Sequence, residues 1–120
     1  MTRVLVCGGR DFGDLRLLRE TLDLVHVLFD VSCVIAGRAR GADTLAERWA
    51  DLRGISVDAY PADWSTGRGA GHARNQRMLS EGKPDLVVAF AGGRGTADMI
   101  RRSRAAGVPV YDTATGQYHG

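Results

Sequence analysis

Lysine is nearly absent from this sequence: of its 16 basic residues, all but Lys83 are arginine. Cysteine is also scarce. Cys7 and Cys33 are the only two, and both sit inside apolar runs. That excludes a disulfide framework and reads as small buried hydrophobes of a reducing compartment. There is no Cys-x-x-Cys pair, no His-Glu-x-x-His and no clustered His/Asp set, so neither a metal site nor a cofactor is expected. No apolar run approaches the roughly 20 residues of a membrane span. The opening MTRVLVCGG is too short for a signal sequence, so the expectation is a cytoplasmic chain with no membrane partner. A net charge of +2 is too small to imply nucleic acid or a membrane surface by itself. The arginine excess suits bidentate phosphate contacts and is equally what a codon bias would leave.

What is present is ordinary for a globular domain: 120 residues, 44% hydrophobic and 25% charged. Strand-like and helix-like periods alternate along them. Apolar runs at 3–7, 32–37, 56–60, 84–90 and 108–112 read as strands. Helical spacing marks 14–29, 44–53, 71–81 and 96–106, the last ended by Gly107 as a C-cap glycine. Five short apolar strands separated by helices predict a Rossmann-like, doubly wound α/β domain over residues 1–112, its parallel sheet covered on both faces. The remainder, 113–120, reads as a polar tail that frays.

Ligands of such sheets sit outside the carboxyl ends of the strands, near the topological switch point. All four strand-to-helix loops open on that rim, and they hold the unusual residues. In GGRDFGD (8–14), Gly8 and Gly9 open the turn, Arg10 and Asp11 face a ligand or each other, and Phe12 anchors the loop. In GRARGAD (37–43), Gly37 and Gly41 permit close backbone approach and Arg40 faces a ligand; Asp43 either caps the next helix or faces the site. The third loop, 61–75, is longer than a usual connection, and such loops tend to be functional. It brings Asp63, Trp64 as a surface for stacking on a base or as a core lid, and His72, Arg74 and Asn75 at the next helix start. Met78 belongs to the core and Arg77 to solvent or an ion pair. The fourth loop reads FAGGRGTADM (90–99). Gly92, Gly93 and Gly95 lead into a helix N-terminus, which offers free amides and partial positive charge to an anion. Thr96 is placed to cap that helix and to donate to a phosphate. The same residues also suffice for a tight turn without a ligand.

The motifs GGRDF, GRARGAD, ADW…RN…M and AFAGGRGTADM, in this order over residues 3 to 111, resemble those of the YspA/YpsA-related SLOG proteins. That superfamily also holds the Lonely Guy phosphoribohydrolases and DprA. Two residues depart from the pattern. Arg38 stands where it more often reads a second glycine, and Ala91 where many relatives place proline. The Lonely Guy signature, GGxGTxxE with an arginine in HxRKxxM, is matched at Gly92, Gly93, Gly95, Thr96, His72, Arg74 and Met78. The resemblance thus places Arg74 on the catalytic arginine, but Met99 stands at the glutamate position and Asn75 replaces the lysine. A thioether cannot stabilise an oxocarbenium-like centre or activate water. Asp98 lies one residue earlier, rotated by about 100° around the helix, and Asp11, Asp43 or Asp63 could substitute from neighbouring loops.

The expected function is binding of a phosphate-bearing nucleotide or nucleotide-derived ligand, as a sensor. Gly92, Gly93, Gly95 and Thr96 would form the phosphate-binding loop, Arg10, Arg40 and Arg74 would neutralise charge, and Asp11, Asp43 or Asn75 would grip ribose. One alternative is a nucleoside 5'-monophosphate phosphoribohydrolase using Arg74 with Asp98 as a relocated acid. Another is DprA-like single-strand DNA binding, disfavoured by the weak charge and few aromatics. The resemblance also implies a homodimer.

Overall fold

Apolar runs without polar alternation suit strands covered on both faces, and the centre of the sheet is built from them. In the computed structural model, which describes residues 1–120, Thr2–Cys7 (β1), Val31–Ala36 (β2), Ser56–Ala59 (β3), Leu86–Ala89 (β4) and Val110–Asp112 (β5) pair in parallel. Gln117–His119 (β6) joins antiparallel, and the order is β3-β2-β1-β4-β5-β6. Strand β1 is central: Val4 lies opposite Val34 and Leu86, and Leu5 opposite Ile35 and Val87.

Successive side chains of a strand point to opposite faces, which divides the core in two. Val4, Val6, Val34 and Val88 meet Leu18 and Leu22 of Leu15–Phe29 (α1) and Trp49 of Ala42–Leu52 (α2). On the other face, Leu5, Ile35 and Val87 meet Met78 of Ala70–Ser80 (α3) and Met99 of Arg94–Ala105 (α4). The chain runs β1, β2, β3 to one side, then crosses back to place β4 on the other flank of β1. The switch point therefore lies between the carboxyl ends of β1 and β4.

Three local expectations change. Helix α4 starts at Arg94 with Gly93 as its N-cap, so Thr96 is inside the first turn and does not cap it. Helix α2 starts at Ala42 behind Gly41, so Asp43 is not its cap either. The cause is local: Gly41 is left-handed (φ +80°) and lies against the backbone of Gly9 and Arg10. There the amide of Ala42 donates to the carbonyl of Gly9 at 3.2 Å, which draws the helix start forward. The tail does not fray. The amide and hydroxyl of Thr113 both donate to the Ala89 carbonyl at 2.9 Å, and a turn with left-handed Gly116 returns 117–119 to the free edge of β5.

Candidate nucleotide-binding cleft

A cleft of about 400 Å³ opens at the switch point, floored by Cys7 and Met78 and walled by the loops after β1, β2, β3 and β4. It gathers Gly8, Gly9, Arg10, Asp43, Trp64, Arg74, Asn75, Gly93, Gly95 and Thr96 from the residues the sequence singles out.

The glycines divide by what surrounds them. A Cβ on Gly8 would strike that of Ala42, one on Gly41 the Gly9 carbonyl, and one on Gly92 the Thr96 hydroxyl and the Gly9 amide. These glycines let the β1, β2 and β4 loops close on one another; Gly9 seals the arrangement by donating to the Ala91 carbonyl at 2.9 Å. Gly93 and Gly95 differ, since a Cβ on either would meet no protein atom within 4 Å. Both border the cleft. The backbone amides of residues 93–96 donate to no group in the chain, nor does the Thr96 hydroxyl. A helix start with unsatisfied donors and no side chains in front of it is suited to an anion.

Arg74 reaches the cleft from α3 and is held at both ends. One terminal nitrogen donates to the Gly37 carbonyl, and any side chain at Gly37 would overlap the guanidinium. Its Nε donates to Asn75 Oδ1 at 3.1 Å. Asn75 Nδ2 donates in turn to the Gly95 carbonyl at 3.2 Å and to Asp98 at 3.0 Å. Asn75 is therefore occupied at both ends of its amide and ties Arg74 to the α4 turn. Burial lowers the pKa of Arg74, opposed by the nearby Asp43 carboxylate, while Arg10 lowers it further.

Asp98 lies beneath this array and not in the cleft wall. It is 1% exposed. Its oxygens are taken by Asn75, by His72 Nδ1 at 3.1 Å, by Arg101 at 2.8 Å and by Arg102 at 2.9 Å. Burial raises its pKa, but the hydrogen bonds from Asn75, Arg102 and His72 outweigh that, and the net shift is downward. A carboxylate so committed is an anchor.

The one carboxylate in the cleft wall is Asp43. Its Oδ2 accepts from the Ala39 amide at 3.1 Å, clamping the 37–43 turn. Desolvation raises its pKa from 3.8 to about 6 despite that bond and the Arg74 charge. Cys7 is a neutral thiol, its pKa pushed up by burial and then by Asp43 and Asp112.

Trp64 is 55% exposed at the rim, on a short 3-10 turn, Trp64–Thr66, with the Arg10 guanidinium 5.3 Å from its ring centroid. Gly37 and Arg40 border an adjoining cavity, and Asp11 and Gly92 a shallow one beside the β1 loop. Asp11 does not pair with Arg10; it lies 3.7 Å from Arg40 in solvent. Asp63 caps the 3-10 turn by accepting from Ser65 and borders none of these cavities. The sequence reading left Arg68, Gly71 and His72 out of the ligand set, yet all three border the cleft. Arg68 had a signal, being an arginine flanked by glycines within the long loop. Gly71 had none; it lies beside the edge of Trp64, which an added Cβ would meet at an ordinary 3.4 Å.

Residues 2–67 match the model of the YspA, cpYpsA-related SLOG family (YAcAr). A protein of Mycobacterium phage D29, Gene 61 protein, is 37% identical over 93% of this chain and 96% of its own length. The chain belongs to the YspA, cpYpsA-related SLOG family. The family match covers the β1 and β2 loops and Trp64, and the phage relative extends the likeness through α3 and α4. Among solved structures, Acinetobacter baumannii MurG superposes on 93% of this SLOG chain with a TM-score of 0.56 at 18% identity. The SLOG chain spans about a third of that protein (34%), and the likeness is one of Rossmann-like fold.

Proposed function

We propose that the cleft binds a phosphate-bearing nucleotide. The observation that carries this reading is the α4 start: four unsatisfied amides, the free Thr96 hydroxyl and two glycines whose missing side chains leave the approach open, on a cleft that the half-buried Arg74 also borders. In this reading a phosphate accepts from the amides of residues 93–96 and from Arg74, with Arg10 and Arg68 adding charge at the rim. Trp64, one face against Arg10, stacks the base on its other face. Asp43 accepts a ribose hydroxyl. The test is incubation with nucleoside monophosphates, NAD and ADP-ribose, followed by gel filtration and mass spectrometry of what the protein retains. One intact nucleotide retained by the wild type and lost from Arg74→Ala is expected; retention of none overturns the reading.

A second reading is favoured by the position of Asp43. An acid pushed up to about 6 beside a fixed arginine is poised for proton transfer near neutral pH. The reaction would be hydrolysis of a nucleoside 5'-monophosphate. The C1'–N bond breaks with its electron pair leaving on the base, water oxygen bonds to C1', and one water proton ends on the base while the other stays on the new hydroxyl. Asp43, and not Asp98, would stabilise the cationic centre or handle the proton. Free base formed in proportion to enzyme, and abolished in Asp43→Asn while nucleotide retention persists, is the outcome that makes this an enzyme.

A further inference from the structure

Past Arg10, Trp64 and Arg74 the cleft continues into a second cavity of about 690 Å³. Arg10, Arg38, Arg40 and Arg74 border it, and no carboxylate does. Four guanidinium groups border one hollow, and their planar donors fit phosphate oxygens.

Arg38 is the informative member. Its backbone is left-handed (φ +58°), a conformation that glycine adopts freely and a branched or long side chain does not. Asp30 and Lys83 share this backbone away from the two cavities; Arg38 is the one of the three that borders a cavity, and such outliers collect at ligand sites. The side chain is also paired along its stem. Nε lies 3.0 Å from Glu47 on α2, and the guanidinium, on a side chain 60% exposed, has no other ion-pair partner in the chain. Glu47 thus holds the stem and leaves the fork free. Arg40 is held only loosely, 3.7 Å from the exposed Asp11.

We infer that this second cavity is an anion subsite centred on Arg38, and that the ligand is a nucleotide bearing a second phosphate group in addition to the one at the α4 start. This rests on the nucleotide reading of the cleft. It assigns Arg74, which borders both cavities, to the bridge between the two phosphates, and Arg38 with Arg40 to the second one alone.

The experiment is calorimetric titration with the 5'-monophosphates of the four common nucleosides, then with the matching 5'-diphosphates and 3',5'-bisphosphates. The two kinds of diphosphate separate a contiguous from a remote second phosphate. At least one two-phosphate compound should bind wild-type protein about tenfold or more tighter than its monophosphate, roughly the worth of one charge-assisted contact. In Arg38→Asn, which tolerates the left-handed backbone but carries no charge, that advantage should vanish. Monophosphate affinity should stay within about twofold, and the melting temperature should not fall. Equal affinity for the one- and two-phosphate compounds overturns the subsite while leaving the cleft reading intact. An advantage that survives Arg38→Asn overturns it equally. Failure of every compound, monophosphates included, overturns both.

Discussion

Asp43 and Asp98 show how two aspartates on one rim come to opposite behaviour. Asp98 is ringed by donors and its pKa is lowered, so its contribution to stability is present above the ordinary carboxylate range and is lost as pH falls through that range and below. Asp43 is buried with one backbone donor and its pKa is raised, so ionising it opposes folding. Its contribution is full below about pH 4 and is lost as pH rises through about 6. Asp43→Asn should therefore stabilise the protein at pH 7.5 by on the order of 2 kcal/mol and change little at pH 4, measured by denaturant unfolding at both values. A variant no more stable at pH 7.5 than at pH 4, each against wild type, would contradict this. If the cleft binds as proposed, Asn75 acts through Arg74. Asn75→Ala should weaken nucleotide retention about tenfold or more, as loss of a group that orients a ligand-binding side chain does. Arg74→Lys should not restore binding, because an ammonium cannot serve Gly37, Asn75 and a phosphate at once.

At the level of elements, each rim loop is a turn whose glycines do one of two jobs. Gly92→Ala should destabilise by about 1–3 kcal/mol, because its Cβ would overlap Thr96 and the Gly9 backbone, neither of which can move freely. Gly95→Ala should do the reverse. It sits in the first turn of α4 with open space before it, so alanine should raise helix stability by up to about 1 kcal/mol while obstructing the phosphate. Thermal melts of the two variants with and without nucleotide separate the roles. From sequence the pair is indistinguishable, both being glycines of one GGRG run. The β2–α2 turn offers a parallel case: Arg38→Gly should raise stability by about 1 kcal/mol as the left-handed strain is relieved, less whatever the half-exposed pair with Glu47 contributes.

For the whole molecule, the site is a consequence of topology. Strands β1 and β4 are neighbours in the sheet although 82 residues separate Val4 from Leu86, and the loops that follow them close on each other through Gly9 and Ala91. Removing residues 113–120 should lower stability by on the order of 1–3 kcal/mol, because it strips β6 from the edge and both Thr113 bonds from Ala89. The rim itself should survive, since none of those residues borders the cleft. Unchanged unfolding of the truncated chain would show that the edge strand contributes nothing. The five parallel strands and the helices to within about two residues, the doubly wound class and the gathering of arginine, glycine and tryptophan on one rim were legible in the sequence; the edge strand β6 was not. Their signals are local: hydrophobic period and turn chemistry act between near neighbours. The assignment of roles within the rim was not legible. That Asp98 is tied to Asn75, that Arg74 is tied to Gly37 and that Gly41 faces the Gly9 backbone all depend on partners 20 to 40 residues away. Only the crossing of the chain at β1 brings those partners within hydrogen-bonding distance.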